Sequence, residues 1–196
     1  MRRLVLAILV LGSCANPKGI EPVDPGTSDL AVYRAVLDSM FVHEAGSRTR
    51  QLVVLDSTVP RKRENWAGFL IREFVRLPGV DTATVQNLLN RSREPHSLAA
   101  LPHLDLAIPV TLADRKTLTA LPRNSAALYW SEFYKVYPES GGLIELSGIG
   151  YNAARDVAVL TVDTGCGELC GDGLLVVVRR LADVWKIATI KVTIVS

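Results

Sequence analysis

Apolar residues in the first half of the chain recur at the three- and four-residue spacing of amphipathic helices. Over 28–41 they mark one face of a helix, with Thr27 or Ser28 placed to cap its first turn. A short apolar run over 51–59 predicts a strand instead. Further helices are predicted over 65–77, after a cap at Asp81 or Thr82, over 114–121 and over 125–137. A short strand is predicted over 108–112.

The last third of the chain has the pattern of consecutive β-strands. Four runs rich in valine, isoleucine and leucine cover 143–149, 157–162, 174–180 and 184–195, and short connections separate them. This order predicts an antiparallel meander. Helices first and strands afterwards predict an α+β fold, in which N-terminal helices pack on a C-terminal antiparallel β-meander and cover one face of it.

The connection at 164–173 holds four glycines and two cysteines between two of these strands. We expect 157–162 and 174–178 to pair as a hairpin, and the glycines to supply positive φ angles to a tight, bulged turn. Cys166 and Cys170 are four residues apart, a separation that a curled loop brings within disulfide distance. Redox centres typically have a C-x-x-C motif at the start of a helix, whereas these cysteines are spaced C-x-x-x-C between strands. We therefore interpret the pair as a structural disulfide, with reactive thiols or a metal site as alternatives.

The N terminus has the pattern of a bacterial export signal. Two arginines precede an uncharged apolar run over 4–11, and Leu11-Gly12-Ser13-Cys14 resembles the lipobox of bacterial lipoproteins, in which the cysteine becomes the lipidated first residue. The predicted organisation is a signal peptide over 1–13, a lipid-anchored tether over 14–27 and a single α+β domain over 28–196. A plain secretory peptide, or a cytoplasmic protein with an apolar first strand, is the alternative.

This interpretation places the protein in the bacterial cell envelope, lipid-anchored through Cys14 and facing the periplasm or the exterior. With Cys14 lipidated, an even pair of cysteines remains in a compartment that permits disulfides. A net charge of +2 and a hydrophobic content of 48% indicate a folded domain rather than a disordered chain or a polyanion binder. The basic cluster Arg61-Lys62-Arg63 is interpreted as a solvated turn, and no nucleic-acid partner is expected.

Motifs of known catalytic chemistry are missing from the sequence. There is no G-x-S-x-G elbow and no phosphate- or dinucleotide-binding glycine loop. The histidines, at 43, 96 and 103, do not have the spacing of metal ligands. Carboxylates that the fold could bring together as an acid–base pair are interpreted as solvated; they are Glu145, Asp156, Asp163, Glu168 and Asp172. No catalytic residue, metal ligand or cofactor is therefore predicted.

Four short motifs stand out between 125 and 196. They are Trp130-x-x-Phe133-Tyr134-x-x-Tyr137-Pro138-x-Ser140-x-Gly142, Leu146-Ser147-x-Ile149-Gly150-Tyr151-Asn152, Cys166-Gly167-x-Leu169-Cys170-Gly171-x-Gly173 and Val184-Trp185-Lys186-Ile187. Together they resemble an uncharacterised group of secreted or lipid-anchored bacterial proteins with a Cys-Gly-x-Leu-Cys-Gly-x-Gly hairpin. The resemblance is loose in the N-terminal half. It implies architecture and location, and brings no activity with it.

Aromatic residues of the last helix and the meander either fill the core or line a pocket at one end of a curved sheet. The residues predicted to bind a ligand are Trp130, Tyr134, Tyr151, Glu168 and Asp172, the last two from the cysteine connection.

The leading functional hypothesis is a non-enzymatic, lipid-anchored envelope protein whose domain binds a partner protein or a small ligand. One alternative is a hydrolase-like or metal-dependent enzyme with a site assembled from dispersed acids and histidines, which predicts a cleft holding His96 or His103 with two carboxylates. A weaker alternative is a thiol redox protein, which predicts an exposed cysteine of low pKa.

Overall fold

The computed structural model describes residues 25–42, 49–60 and 64–195. The helices are α1 (Pro25–Leu37), which continues as a π-helical turn (Asp38–Val42), α2 (Glu64–Phe74), α3 (Thr82–Arg91), α4 (Arg115–Ala120) and α5 (Ala126–Val136). The strands are β1 (Gln51–Leu55), β2 (Val110–Ala113), β3 (Ser140–Leu146), β4 (Gly150–Tyr151), β5 (Val157–Gly167), β6 (Cys170–Leu181) and β7 (Val184–Val195). The predicted signal peptide and Cys14 lie outside the described residues.

The seven strands form one sheet in the order β2-β1-β3-β5-β6-β7, and β4 pairs with β5 off this path. Pairing is antiparallel from β3 through β7, whereas β1 pairs parallel with both β2 and β3. The predicted α+β fold, with N-terminal helices and a C-terminal antiparallel meander, is confirmed. The strands predicted over 51–59 and 108–112 join the meander as a parallel flank.

Helices cover both faces of the sheet, so the expectation of one covered face is wrong. Helix α1 packs on one face, against side chains such as Leu160 and Val176. Helices α2 and α3 pack on the other face, against Val159 and Val177, and α5 packs on that face beside β1. Successive strand residues point to opposite faces, and the apolar runs in β5 and β6 are continuous, so both of their faces are buried.

Side-chain caps begin three helices: at Asp114 as predicted, at Asp81, one of the two predicted residues, and at Ser125, where a helix but no cap is predicted. Asp81, Asp114 and Ser125 each accept a backbone N–H from the first turn of α3, α4 and α5. Helix α1 begins at Pro25 instead, because the fixed φ of proline suits a first helical turn, and it takes up the last three residues of the predicted tether. Within the described ranges, no helix combines the length and the apolar character that crossing a bilayer requires.

Candidate functional site

The hairpin of β5 and β6 carries the cysteine connection at its tip. The strands pair along their length, with a bulge between Gly165 and Gly167. Cys166 and Cys170 lie at disulfide distance, with their Cα atoms 5.1 Å apart. The predicted hairpin is confirmed, and its two cysteines lie close enough to form the predicted disulfide. Leu169, in the turn between the strands, is 89% exposed.

The four glycines of this connection, at 165, 167, 171 and 173, do not have the expected positive φ, because all four lie in the paired strands. At Gly165 the absence of a side chain permits close approach, since a Cβ there would lie 3.0 Å from the Trp130 ring. Positive φ is found instead at Gly142 in β3, where φ is 118° and a Cβ would lie 2.2 Å from the Gly165 carbonyl oxygen. These two glycines let α5, β3 and β5 meet closely.

A cleft of about 260 Å³ opens where α5 lies over β3 and β5. Tyr129 and Trp130 of α5 line one side, and Glu145 of β3 and Asp163 of β5 line the other. Small-molecule sites commonly measure about 300–1,000 Å³. The cleft lies just below this range, so it suits a ligand smaller than a typical drug molecule.

The aromatic side of the cleft is held in place by packing. Phe133 is fully buried and anchors α5 in the cluster that includes β1. Its ring centroid lies 5.1 Å from that of Trp130 in an edge-on arrangement, and 6.4 Å from that of Tyr129 in a stacked one. Residues three and four positions apart are neighbours on a helix, so both rings are supported by the buried Phe133. The ring positions are therefore set before any ligand arrives.

The acidic side of the cleft is a cross-strand pair. Glu145 and Asp163 lie directly opposite each other in the β3–β5 ladder, and both are half-buried. Opposed residues have Cβ atoms about 4.5–5.5 Å apart, so the two side chains share one small volume. Burial, and secondly the charge of Glu145, raises the pKa of the Tyr129 hydroxyl. Tyr129 therefore remains a protonated hydrogen-bond donor beside the carboxylates at neutral pH.

One of the five predicted ligand-binding residues lines this cleft, and a second packs beside it. Trp130 lines it, and the Tyr134 ring lies 6.0 Å from the Trp130 ring. The Tyr134 hydroxyl donates a 2.8 Å hydrogen bond to the carbonyl oxygen of Cys166. Burial raises the pKa of this hydroxyl. Tyr134 thus ties α5 to the disulfide-bonded hairpin.

Tyr151, Glu168 and Asp172 lie elsewhere. Tyr151 is in β4, where its hydroxyl donates to the Asp29 carboxylate at 2.8 Å and its ring packs 5.9 Å from that of Trp185. Glu168 and Asp172 are exposed near the hairpin tip, and neither lines the cleft. The five residues therefore do not form one site, and ligand binding by them stays a prediction.

Sequence reasoning named Glu145 and Asp163 only as candidate acids, and it did not select Tyr129. A signal for Tyr129 is present, because it lies beside Trp130 and four residues before Phe133 on the same helix. The opposition of Glu145 and Asp163 has no local signal, since it depends on the register in which β3 and β5 pair.

His96 lies in a second, smaller cavity of about 160 Å³. One carboxylate, that of Asp29, lines this cavity, and it is already bonded to Arg91 and Tyr151. The His96 Nε2 atom lies 2.8 Å from the Arg91 carbonyl oxygen. The enzyme alternative predicts a histidine with two carboxylates, which this cavity does not provide. Across the ranges that the structure describes, no three His, Cys, Asp or Glu residues are grouped to hold a metal ion.

A third cavity, of about 300 Å³, lies beside Phe41 and the first residues of β1 and β3. Its described lining consists of apolar side chains, two threonines, Gln51 and glycine backbone, without a charged group. It offers volume but few groups to orient a ligand. The cleft beside α5 is therefore the stronger candidate site.

Comparison of the chain with protein-family models, with curated proteins and with solved structures finds no match. The resemblance of the C-terminal motifs to a bacterial group stays a prediction. We therefore infer function from the contacts and chemistry of the cleft.

Proposed function

We propose that the protein is a lipid-anchored binding protein of the bacterial cell envelope, whose cleft between α5 and the sheet takes a small ligand. The observation that carries the proposal is the placement of the Tyr129 and Trp130 rings opposite Glu145 and Asp163. Ring faces attract hydrocarbon surfaces and cations, and carboxylates accept hydrogen bonds. A ligand with amino or hydroxyl donors beside a ring or hydrocarbon face matches both sides.

The cleft has room for such donors alongside the protein's own contacts. An ionised carboxylate offers about four acceptor positions, so internal hydrogen bonds and hydrogen bonds from a ligand coexist. The packing of Trp130 on Phe133 and against Gly165 fixes one side in advance. A site that is ordered before binding loses less conformational entropy when it binds.

The location rests on the N-terminal sequence and on the disulfide. The lipobox-like Leu11-Gly12-Ser13-Cys14 supports an acyl anchor, and structural disulfides such as Cys166–Cys170 persist mainly in oxidising compartments. The membrane is then the partner of Cys14, and the domain faces the periplasm or the exterior.

Thermal-shift measurements with glucosamine, galactose, ethanolamine and putrescine test the cleft, together with mass spectrometry of molecules that copurify with the protein. A ligand present at about one hundred times its Kd stabilises the folded state by about 2.7 kcal/mol. Glu145→Gln and Asp163→Asn preserve shape and remove charge, so we expect them to abolish the shift. Glu132→Gln, on α5 and paired with Lys135, is the matched control and should leave the shift unchanged. A shift that survives both cleft substitutions contradicts the proposal.

The same pair of carboxylates supports one alternative, a hydrolase that uses them as general acid and general base. Recovering the bound molecule by mass spectrometry separates the two functions. A binding protein returns the ligand intact. Cleavage that is lost in both Glu145→Gln and Asp163→Asn would assign the cleft to catalysis.

A further inference from the structure

Strand β7 forms one edge of the sheet and leaves one side of its backbone without a strand partner among the described residues. It is twelve residues long. Its exposed positions are mostly apolar, including Val192 and Ile194 at 52% and Val195 at 76% exposure, and Lys186 is the single charged residue among them. Natural edge strands usually carry charges or proline that discourage further pairing. β7 has no proline and one exposed charge, so its edge is open to another strand.

Two bulges divide the edge and direct its side chains. The register with β6 shifts at Ala188 and at Thr193, which leaves a regular stretch over 189–192. Beyond the second bulge Ile194 pairs with Gly173, on the sheet face that α2 and α3 cover. The end of β7 is thereby brought beside α2.

A pocket of about 250 Å³ lies between α2 and this end of β7. Trp66, Phe69, Thr193 and Ile194 line it, and the two aromatic rings meet edge-on with centroids 5.5 Å apart. An extended segment that adds to a sheet edge gains affinity from main-chain hydrogen bonds and specificity from pockets that receive its side chains. An edge and an adjacent apolar pocket are both present here.

Positively charged side chains outnumber negatively charged ones around the pocket. The Glu73 carboxylate lies 2.7 Å from Lys191 Nζ, 3.0 Å from Arg72 Nε and 3.6 Å from Arg76 Nη1. Three cations thus share one carboxylate. The Arg72 guanidinium also lies over the Phe69 ring, 5.8 Å from its centroid, which brings the positive charge to the pocket.

We propose that β7 and the Trp66–Phe69 pocket bind an extended, acidic segment of a partner protein as an additional strand, with one apolar side chain of that segment in the pocket. The excess of cations favours Asp or Glu in the segment. A second copy of this chain is disfavoured, because antiparallel pairing of two β7 edges would bring Lys191 and its neighbouring arginines close to their own counterparts. This surface is separate from the α5 cleft, so either proposal can fail without the other.

A nine-residue peptide display library with every position randomised tests this surface. It is selected on the wild-type protein and counter-selected on Ile194→Ser, which removes an apolar side chain that is 52% exposed and adds no charge. We expect enrichment of β-branched residues around one large apolar residue, with Asp or Glu nearby. One enriched peptide, labelled with fluorescein, is then titrated by anisotropy against variants whose folding is checked by circular dichroism.

Both Ile194→Ser and Arg76→Glu should weaken that peptide about tenfold, which corresponds to about 1.4 kcal/mol. Leu169→Ser and Arg115→Glu are the matched controls. Leu169 is an exposed leucine at the hairpin tip, and Arg115 is an exposed arginine beside the opposite edge of the sheet. Both substitutions should change the Kd less than about twofold. Replacing the peptide's acids with lysine should restore binding to the Arg72→Glu, Arg76→Glu double variant. No enrichment, enrichment of basic peptides, or equal binding by Ile194→Ser overturns the proposal. A concentration-dependent dimer that Ile194→Ser disrupts would overturn it in favour of a second copy.

Discussion

Two glycines of this chain lie in opposite surroundings. At Gly150 in β4, a Cβ would lie 2.5 Å from the backbone nitrogen of Leu88 and 2.6 Å from the carbonyl oxygen of Thr84, both in α3. At Gly68 in α2, nothing lies within 4 Å of the added atom. Gly150→Ala should therefore destabilise the fold by about 3 kcal/mol, because α3 must move away from the sheet. Gly68→Ala should stabilise it by about 1 kcal/mol, because alanine loses less entropy in a helix.

Urea unfolding followed by tryptophan fluorescence measures both effects. If the unfolding free energy of a variant falls with urea concentration at the same rate as that of the wild type, the substitution has changed stability rather than the compactness of the unfolded state. A Gly150→Ala variant as stable as the wild type would contradict the close contact between α3 and β4.

The pKa of Glu73 gives a prediction for pH dependence. Hydrogen bonds from Lys191 and then Arg72 lower this pKa from 4.5 to about 2 in the folded protein. A carboxyl group whose pKa is lower in the folded state stabilises the fold above its unfolded pKa, and that stabilisation is lost as the pH falls through the folded value. The contribution of Glu73 should therefore disappear between about pH 4.5 and pH 2.

Glu73→Gln removes this titration. We expect the variant to be less stable than the wild type at neutral pH, and the difference to shrink as the pH falls below about 4.5. Glu132→Gln, whose partner Lys135 is exposed, serves as the control. An unchanged difference across this pH window would show that Glu73 is not the group responsible.

At the scale of elements, the disulfide acts on the tip of one hairpin. The ring that it closes is short, so the Cys166→Ser, Cys170→Ser variant should lose only about 2 kcal/mol. The central stretches of β5 and β6, over 157–162 and 174–178, are buried and should keep their pairing. Hydrogen exchange should therefore accelerate over 164–173 alone, with a change in Trp130 fluorescence because Gly165 contacts that ring. Faster exchange throughout β5, β6 and β7 would show instead that the disulfide supports the whole meander.

Elements that depend on local pattern could be predicted from the sequence. The helix caps at Asp81, Asp114 and Ser125, the β5–β6 hairpin and its disulfide all depend on residues close together in the chain. The two-residue strand β4 could not be predicted, because it exists through pairing with β5 and contact with α3. The position of Tyr151 away from the cleft could not be predicted either, because it depends on a hydrogen bond to Asp29, which lies 122 residues away in α1.

The site was partly predictable for the same reason. Trp130 and Tyr134 belong to one helix face, which periodicity reveals. The opposition of Glu145 and Asp163 follows from strand register, and the exposed edge at β7 follows from strand order. Register and strand order are properties of the assembled sheet, so no single segment carries them.

At the scale of the whole molecule, the predicted anchor can be tested by intact mass. Protein extracted from its native membrane should carry a lipid-sized increment at Cys14. Cys166 and Cys170 should react with iodoacetamide only after reduction, because they form a disulfide in the folded domain. A Cys14→Ser variant is the control and should be released from the membrane fraction. An unmodified Cys14, together with thiols that react without reductant, would contradict the envelope location.

The central position of β5 and β6 in the sheet has a consequence for folding during synthesis. The ribosome makes α1, α2 and α3 before it makes β5 and β6, so the sheet surface that buries most of their apolar faces is incomplete until these strands emerge. The β5–β6–β7 contacts are between neighbours in the chain, and hairpins of this kind form within about 1–10 μs. Completion of this late hairpin is then the event that allows the earlier helices to fold. Until that point the order of its segments keeps the nascent chain from completing its fold.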